Sequence, residues 1–147
     1  MRRRRIADIE YAQMLLSRYT IAQLRHDGGL DRSAYVVLAR LASDGPLSIG
    51  ELSDLLRLDT STLQRQTTAA LRVGLVDRIP DPDGGAARKL TLTDEGRARL
   101  DATRERSLHA LEKILDEWTD DDIDRFADLL HRFNDAIESY GPGSPKD

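Results

Sequence analysis

Apolar side chains recur at three- and four-residue steps over residues 6–26, where Ile9, Ala12, Leu16 and Tyr19 share one face and Gly28-Gly29 stops the pattern. Such spacing predicts a helix. A second helix is expected over residues 33–43, with Val37, Leu38 and Leu41 inward and the breaker Asp44-Gly45-Pro46 behind it. Ser48 and Glu51 stand at capping-box spacing ahead of Ile49, Leu52, Leu55 and Leu56, which predicts a short third helix. A fourth begins with Asp59 or Thr60 as N-cap and runs to Gly74. At about 100° per residue, Leu63, Thr67, Ala70 and Leu71 fall on one side of it and Ser61, Arg65, Thr68 and Arg72 on the other.

The period then changes. Residues 75–79 and 88–93 are short strand-like runs, with Leu90 and Leu92 alternating, joined by the polar, glycine-tipped Pro80-Asp81-Pro82-Asp83-Gly84-Gly85. Thr93-Asp94-Glu95-Gly96 opens a long helix expected to reach about Trp118, whose later turns carry Leu108, Leu111, Leu115 and Trp118. Thr119 with Asp120, Asp121 and Asp122 is both a stop and a new start, because carboxylates favour the positive end of a helix. The last helix carries Ile123, Phe126, Leu130, Phe133, Ile137 and Tyr140 at alternating three and four residue steps. That is a heptad seam, the stripe of a helix that pairs with another helix. Residues 141–147 are expected to be disordered.

Length and charge narrow the function classes. A chain of 147 residues is one compact domain, or a small domain with extra helices that need a second copy to cover them. The net charge of −4 hides segregation. Residues 57–89 hold six basic and four acidic side chains, residues 94–140 hold seven basic and fourteen acidic, and Arg2 to Arg5 are consecutive. A polyanion would therefore meet the middle of the chain or its N-terminus. For the four arginines, a solubilising disordered end and a flexible phosphate-contacting arm are equally open. The absence of cysteine removes disulfides, thiolate metal sites and cysteine nucleophiles. No apolar run approaches the ~20 residues of a membrane span, and Asp8 and Glu10 interrupt any export signal that the leading arginines suggest. A cytoplasmic protein without membrane contact is expected.

The order helix, helix, helix, hairpin is that of a winged helix-turn-helix. Residues 30–118 resemble the multiple-antibiotic-resistance regulator (MarR) family of bacterial transcription factors through four strings in sequence. These are Gly45-Pro46-Leu47-Ser48-Ile49-Gly50-Glu51-Leu52, Ser61-Thr62-Leu63-Gln64-Arg65, Gly74-Leu75-Val76-Asp77-Arg78 and Leu90-Thr91-Leu92-Thr93-Asp94-Glu95-Gly96. The resemblance implies a mainly α fold with a small β-hairpin wing. Residues 30–96 would form the DNA-binding lobe, and residues 1–29 and 97–140 the helices of a homodimer. It also implies a pseudo-palindromic operator in double-stranded DNA and release by a small molecule. The family's wing usually carries an Asp-Arg-Arg type tip, whereas this chain has Asp83-Gly84-Gly85-Ala86-Ala87-Arg88. Arg88 is the one candidate left for the minor groove.

Base reading would fall to Thr60, Ser61, Thr62, Gln64, Arg65, Thr68 and Arg72, since arginine can pair bidentately with guanine and glutamine with adenine. An ordinary solvated face would be richer in Glu and Lys, and residues 60–72 contain neither. The dimer interface would use Leu108, Leu111, Leu115, Trp118, Ile123, Phe126, Leu130, Phe133, Ile137 and Tyr140. By the resemblance, Tyr11, Tyr19 and Tyr35 lie near the family's small-molecule cleft, with Arg18 or Arg40 as counter-charge for an aromatic or phenolic anion; plain core packing is the competing account. His26, His109 and His131 have no metal-ligand spacing, and no nucleophile elbow or phosphate-cradling glycine loop occurs. No enzyme chemistry, metal or cofactor is expected. A protein-binding adaptor without operator recognition is the alternative from another class.

Overall fold

The computed structural model describes residues 1–26 and 30–140. The Gly28-Gly29 stop and the 141–147 tail expected from sequence lie outside these residues. The elements are α1 (Arg2–His26), α2 (Arg32–Asp44), α3 (Ile49–Leu56), α4 (Thr60–Arg72), β1 (Val76–Ile79), β2 (Lys89–Leu92), α5 (Asp94–Ile114) and α6 (Asp120–Tyr140). The chain forms two compact units, residues 1–106 and 107–147.

Helix boundaries in the first unit follow the capping chemistry. Asp31 Oδ1 accepts the Ala34 N–H at 2.8 Å to start α2, and Gly45, at φ 83°, closes it. Ser48 Oγ accepts the Glu51 N–H at 3.1 Å while Glu51 Oε2 accepts the Ser48 N–H at 2.7 Å, the reciprocal box expected for α3. Arg57 ends that helix in the left-handed region, at φ 52°. Asp59 has the extended backbone of an N-cap ahead of α4, with no capping bond from its side chain. Leu38, Leu52, Leu63, Val76 and Leu90 are fully buried, so α2, α3, α4 and the hairpin share one core. Thr67 is buried with them, its hydroxyl satisfied by the Gln64 carbonyl at 3.2 Å.

The hairpin is antiparallel in the register Val76↔Leu92, Asp77↔Thr91, Arg78↔Leu90 and Ile79↔Lys89. Leu47 adds a single antiparallel bridge on the other edge of β2 through paired bonds with Leu90 of 3.1 and 2.7 Å, fixing the entry to α3 beside the sheet. At the hairpin loop Gly84 donates to the Asp81 carbonyl at 3.0 Å with φ 83°. Thr93 Oγ1 accepts the Gly96 N–H at 3.0 Å and donates to the Gly74 carbonyl at 2.6 Å, which starts α5 against the turn before β1. A Cβ at Gly96 would collide with the Leu75 carbonyl oxygen. Glycine is required there for close approach, not for an unusual φ.

Two expectations are corrected. α1 begins at Arg2, so the four arginines belong to a helix and are neither a disordered end nor a flexible arm; Arg5 pairs with Asp8 one turn on at 3.4 Å. α5 stops at Ile114, four residues before Trp118, because residues 115–118 make a tight turn closed by the Trp118 N–H on the Leu115 carbonyl at 2.8 Å.

The second unit consists of the end of α5, that turn, and α6. Thr119 Oγ1 accepts the Asp122 N–H at 3.2 Å and caps α6 as its sequence indicates. Trp118 meets Phe126 edge-on, with ring centroids 5.5 Å apart. Beyond that contact the apolar stripe of α6 faces outward: Phe126, Leu129, Leu130, Phe133, Ile137 and Tyr140 are exposed and Ile123 is half-buried. Leu108, Leu111, Ile114 and Trp118 are exposed as well, with Leu115 half-buried.

Candidate nucleic-acid interface

α4 is two-faced. Leu63, Thr67 and Ala70 are buried, which anchors the helix, and Ser61, Gln64, Arg65, Thr68 and Arg72 are all exposed. These five, with Ala69, line one shallow groove along the helix. The structure thus brings together most of the side chains expected to read bases. Thr60 is exposed at the first turn and Thr62 is half-buried at the edge of this face. Neither Arg65 nor Arg72 has a carboxylate within 4 Å among the described residues. Two other cations of the same unit are paired internally, Arg40 with Asp44 at 3.4 Å and Arg99 with Glu95 at 3.1 Å.

Arg88 stands apart from that groove. It lies just ahead of β2, and its Nη2 donates to the Arg78 carbonyl at 3.4 Å. With Arg78, Ala87, Leu90, Ser48, Ile49 and Gly50 it lines a second groove, between the hairpin and the start of α3. Arg78 is missing from the contacts expected by sequence. Its signal is the period of two: Val76, Arg78, Leu90 and Leu92 share one sheet face by register, so the face that buries Val76 continues toward the tip as arginine.

Lys89 holds this region in place. Its ammonium donates to Glu51 Oε1 at 3.1 Å and lies 3.8 Å from Asp81 Oδ1. The Ser48 amide and then the Lys89 ammonium hold the Glu51 carboxyl below its ordinary value, and the Glu51 carboxylate raises Lys89. Both groups are charged at neutral pH.

The residues suggested for a small-molecule cleft lie on two helices. Tyr11 and Arg18 are exposed on α1 and Tyr19 is half-buried there. On α2, Tyr35 packs partly buried against the core, and Arg40 is half-buried with its charge engaged by Asp44. Among the described residues no group of three or more His, Asp or Glu side chains could hold a metal ion. No helix among them is long and apolar enough to cross a membrane.

A MarR family model matches residues 28–87. The uncharacterized HTH-type transcriptional regulator YxaD of Bacillus subtilis (strain 168) is 36% identical over 113 residues, covering 77% of this chain and 79% of that protein. A MarR family protein from Bacillus stearothermophilus superposes with a TM-score of 0.79 at 22% identity, over 93% of this chain and 98% of the other. The PcaV transcriptional regulator from Streptomyces coelicolor, solved in complex with its natural ligand, gives 0.70 at 25% identity, over 87% and 92%. The family match, with 36% identity across more than three quarters of both chains and the fold described above, shows that the chain belongs to the MarR family of helix-turn-helix transcriptional regulators.

Proposed function

We propose that the chain is a homodimeric, sequence-specific regulator that places α4 in the major groove of a pseudo-palindromic operator and represses by occupying it. The observation that carries this reading is the exposed face of α4, where Ser61, Gln64, Arg65, Thr68 and Arg72 stand in one groove with no carboxylate within 4 Å of either arginine among the described residues. Unpaired arginines and a buried opposite face are what a rigid base-reading helix needs. Two-fold symmetry then puts half-sites about one helical turn, ~34–36 Å, apart. The homodimer is supported by the exposed apolar stripes of α6 and the end of α5, together with Ile6, Ile9 and Leu16 on α1.

Release by a small molecule is supported by the PcaV regulator's complex with its natural ligand, and the tyrosines and arginines of α1 and α2 suit an aromatic or phenolic anion. Tyr11, Arg18, Tyr19, Tyr35 and Arg40 are the residues to test, and such a ligand would act by favouring a dimer geometry with the wrong helix separation. Footprinting the purified protein on DNA flanking its own gene, followed by salt titration of the protected duplex, tests the reading. Protection of an inverted repeat with steep salt dependence supports it. Failure to prefer any duplex over random DNA would favour the protein-binding adaptor instead.

A further inference from the structure

Arg78, paired with Leu90 in the hairpin, and Arg88, just ahead of β2 and bonded to the Arg78 carbonyl, meet on one side of the hairpin. They line one groove whose other walls are Ser48, Ile49, Gly50, Ala87 and Leu90, with no acidic residue among them. Neither guanidinium has a carboxylate within 4 Å among the described residues. The acidic groups nearby are occupied. Glu51 caps α3 and binds Lys89, and Asp81 faces Lys89 and accepts the Asp83 amide at 2.9 Å. Asp77 belongs to the alternate register positions of β1. Two guanidinium groups that line one groove without a carboxylate are available to an anion from outside.

We propose that Arg78 and Arg88 form a clamp for one DNA backbone phosphate where the wing loop meets the strands, and that the wing tip does not read the minor groove. This rests on the DNA-binding reading and deepens it. Arg88 is tied to the Arg78 carbonyl, which holds it beside the strands, while the loop ahead of it offers Asp81, Asp83, two glycines and two alanines and no cation. A phosphate is met by charge and by planar forks; it carries no sequence information. The clamp therefore supplies affinity and register to α4 and no discrimination of its own.

The test compares the wild-type protein, Arg78→Gln/Arg88→Gln and Arg78→Lys/Arg88→Lys by fluorescence anisotropy over a salt series, on a random-sequence duplex and on the footprinted operator. Losing one phosphate per lobe, two per dimer, removes about 1.8 units from the slope of log affinity against log salt, roughly a twelvefold smaller fall between about 50 and 200 mM salt. The Gln pair is expected to show that loss equally on both duplexes, and the Lys pair to restore it, because a phosphate accepts a point charge. Preference among flanking base pairs should stay unchanged throughout. An unchanged slope in the Gln pair, with thermal unfolding as in wild type, overturns the clamp alone. Altered preference at the flanks overturns it in favour of minor-groove reading. Wild-type protein that binds neither duplex overturns both the DNA-binding reading and the clamp.

Discussion

Lys89 and Glu51 join across 3.1 Å two elements that sequence separates by 38 positions, the second strand of the wing and the first turn of α3. The same carboxylate completes the capping box on Ser48, so the helix start and the wing depend on one side chain. A wing lacking basic residues at its tip is thereby oriented by an ion pair where its loop meets the strands.

That pair makes stability depend on pH at both ends. The Glu51 carboxyl is held below 4.5, first by the Ser48 amide and then by Lys89, so its contribution is complete above 4.5 and is lost as pH falls through the lowered value. Lys89 is raised above 10.5, chiefly by Glu51, so its contribution is complete below 10.5 and is lost as pH rises through the raised value. Glu51→Gln keeps a capping amide and deletes the charge. The difference in melting temperature between wild type and Glu51→Gln should be constant across the neutral range and close toward both extremes. A difference that persists in acid would mean that Gln fails as a cap and that the charge is irrelevant.

Gly96 is exposed to the opposite expectations of helix propensity and packing. Alanine in a helix interior is normally favoured over glycine by about 0.5–1 kcal/mol, but the added Cβ meets the Leu75 carbonyl oxygen and comes within 3.2 Å of Leu92 Cδ2. Backbone cannot move aside as a side chain can. Gly96→Ala should therefore destabilise by about 1–3 kcal/mol in urea unfolding, whereas Gly50→Ala, whose nearest neighbour is Ser48 Oγ at 3.8 Å, should not. Equal stability of the two variants would show that α5 can shift away from the turn.

Most of the winged lobe was legible because its signals are local. The Ser48–Glu51 box, the Gly45 stop and the Thr119 cap each lie within four residues of sequence, and the two faces of α4 are set by three- and four-residue spacing. What escaped depends on partners far along the chain. Arg78 joins the interface only through its register with Leu90, and Lys89 finds Glu51 only after the hairpin folds beside α3. The end of α5 escaped for another reason: Leu115 and Trp118 continue a helical spacing that the turn at 115–118 reuses, so periodicity alone overshoots. At α1, the run of arginines reads as a charged end, yet arginine is a good helix former and Asp8 stands one turn from Arg5.

Dimerisation is tested on α6, where Phe126 and Phe133 are 44% and 40% exposed although both lie on the apolar stripe. Phe133→Glu adds a carboxylate to an already acidic helix and should oppose its copy across a two-fold axis. Sedimentation equilibrium should show monomers for Phe133→Glu alone, and monomers or unfolded chains for the Phe126→Glu/Phe133→Glu pair, which also loses the ring contact with Trp118. Dimers of wild-type stability in the single variant would place the interface elsewhere.

Sequence discrimination is expected to rest on Arg65. It is exposed near the middle of the polar face of α4, one turn beyond Ser61, and shares a groove with Gln64, Thr68 and Arg72. The helix beneath it is fixed by Leu63 and Thr67, both fully buried, so the guanidinium projects from a rigid base. Its planar fork matches the two acceptors on the major-groove edge of guanine, a geometry that an ammonium cannot reproduce. Arg65→Lys keeps the charge and should keep most binding to random DNA, while losing about 1–3 kcal/mol of discrimination at one base pair of each half-site. Competition titrations of the operator against single-base variants, at one salt concentration, separate the outcomes. Equal losses on operator and random DNA would make Arg65 a phosphate contact, and unchanged discrimination would move the reading role to Gln64 or Thr62.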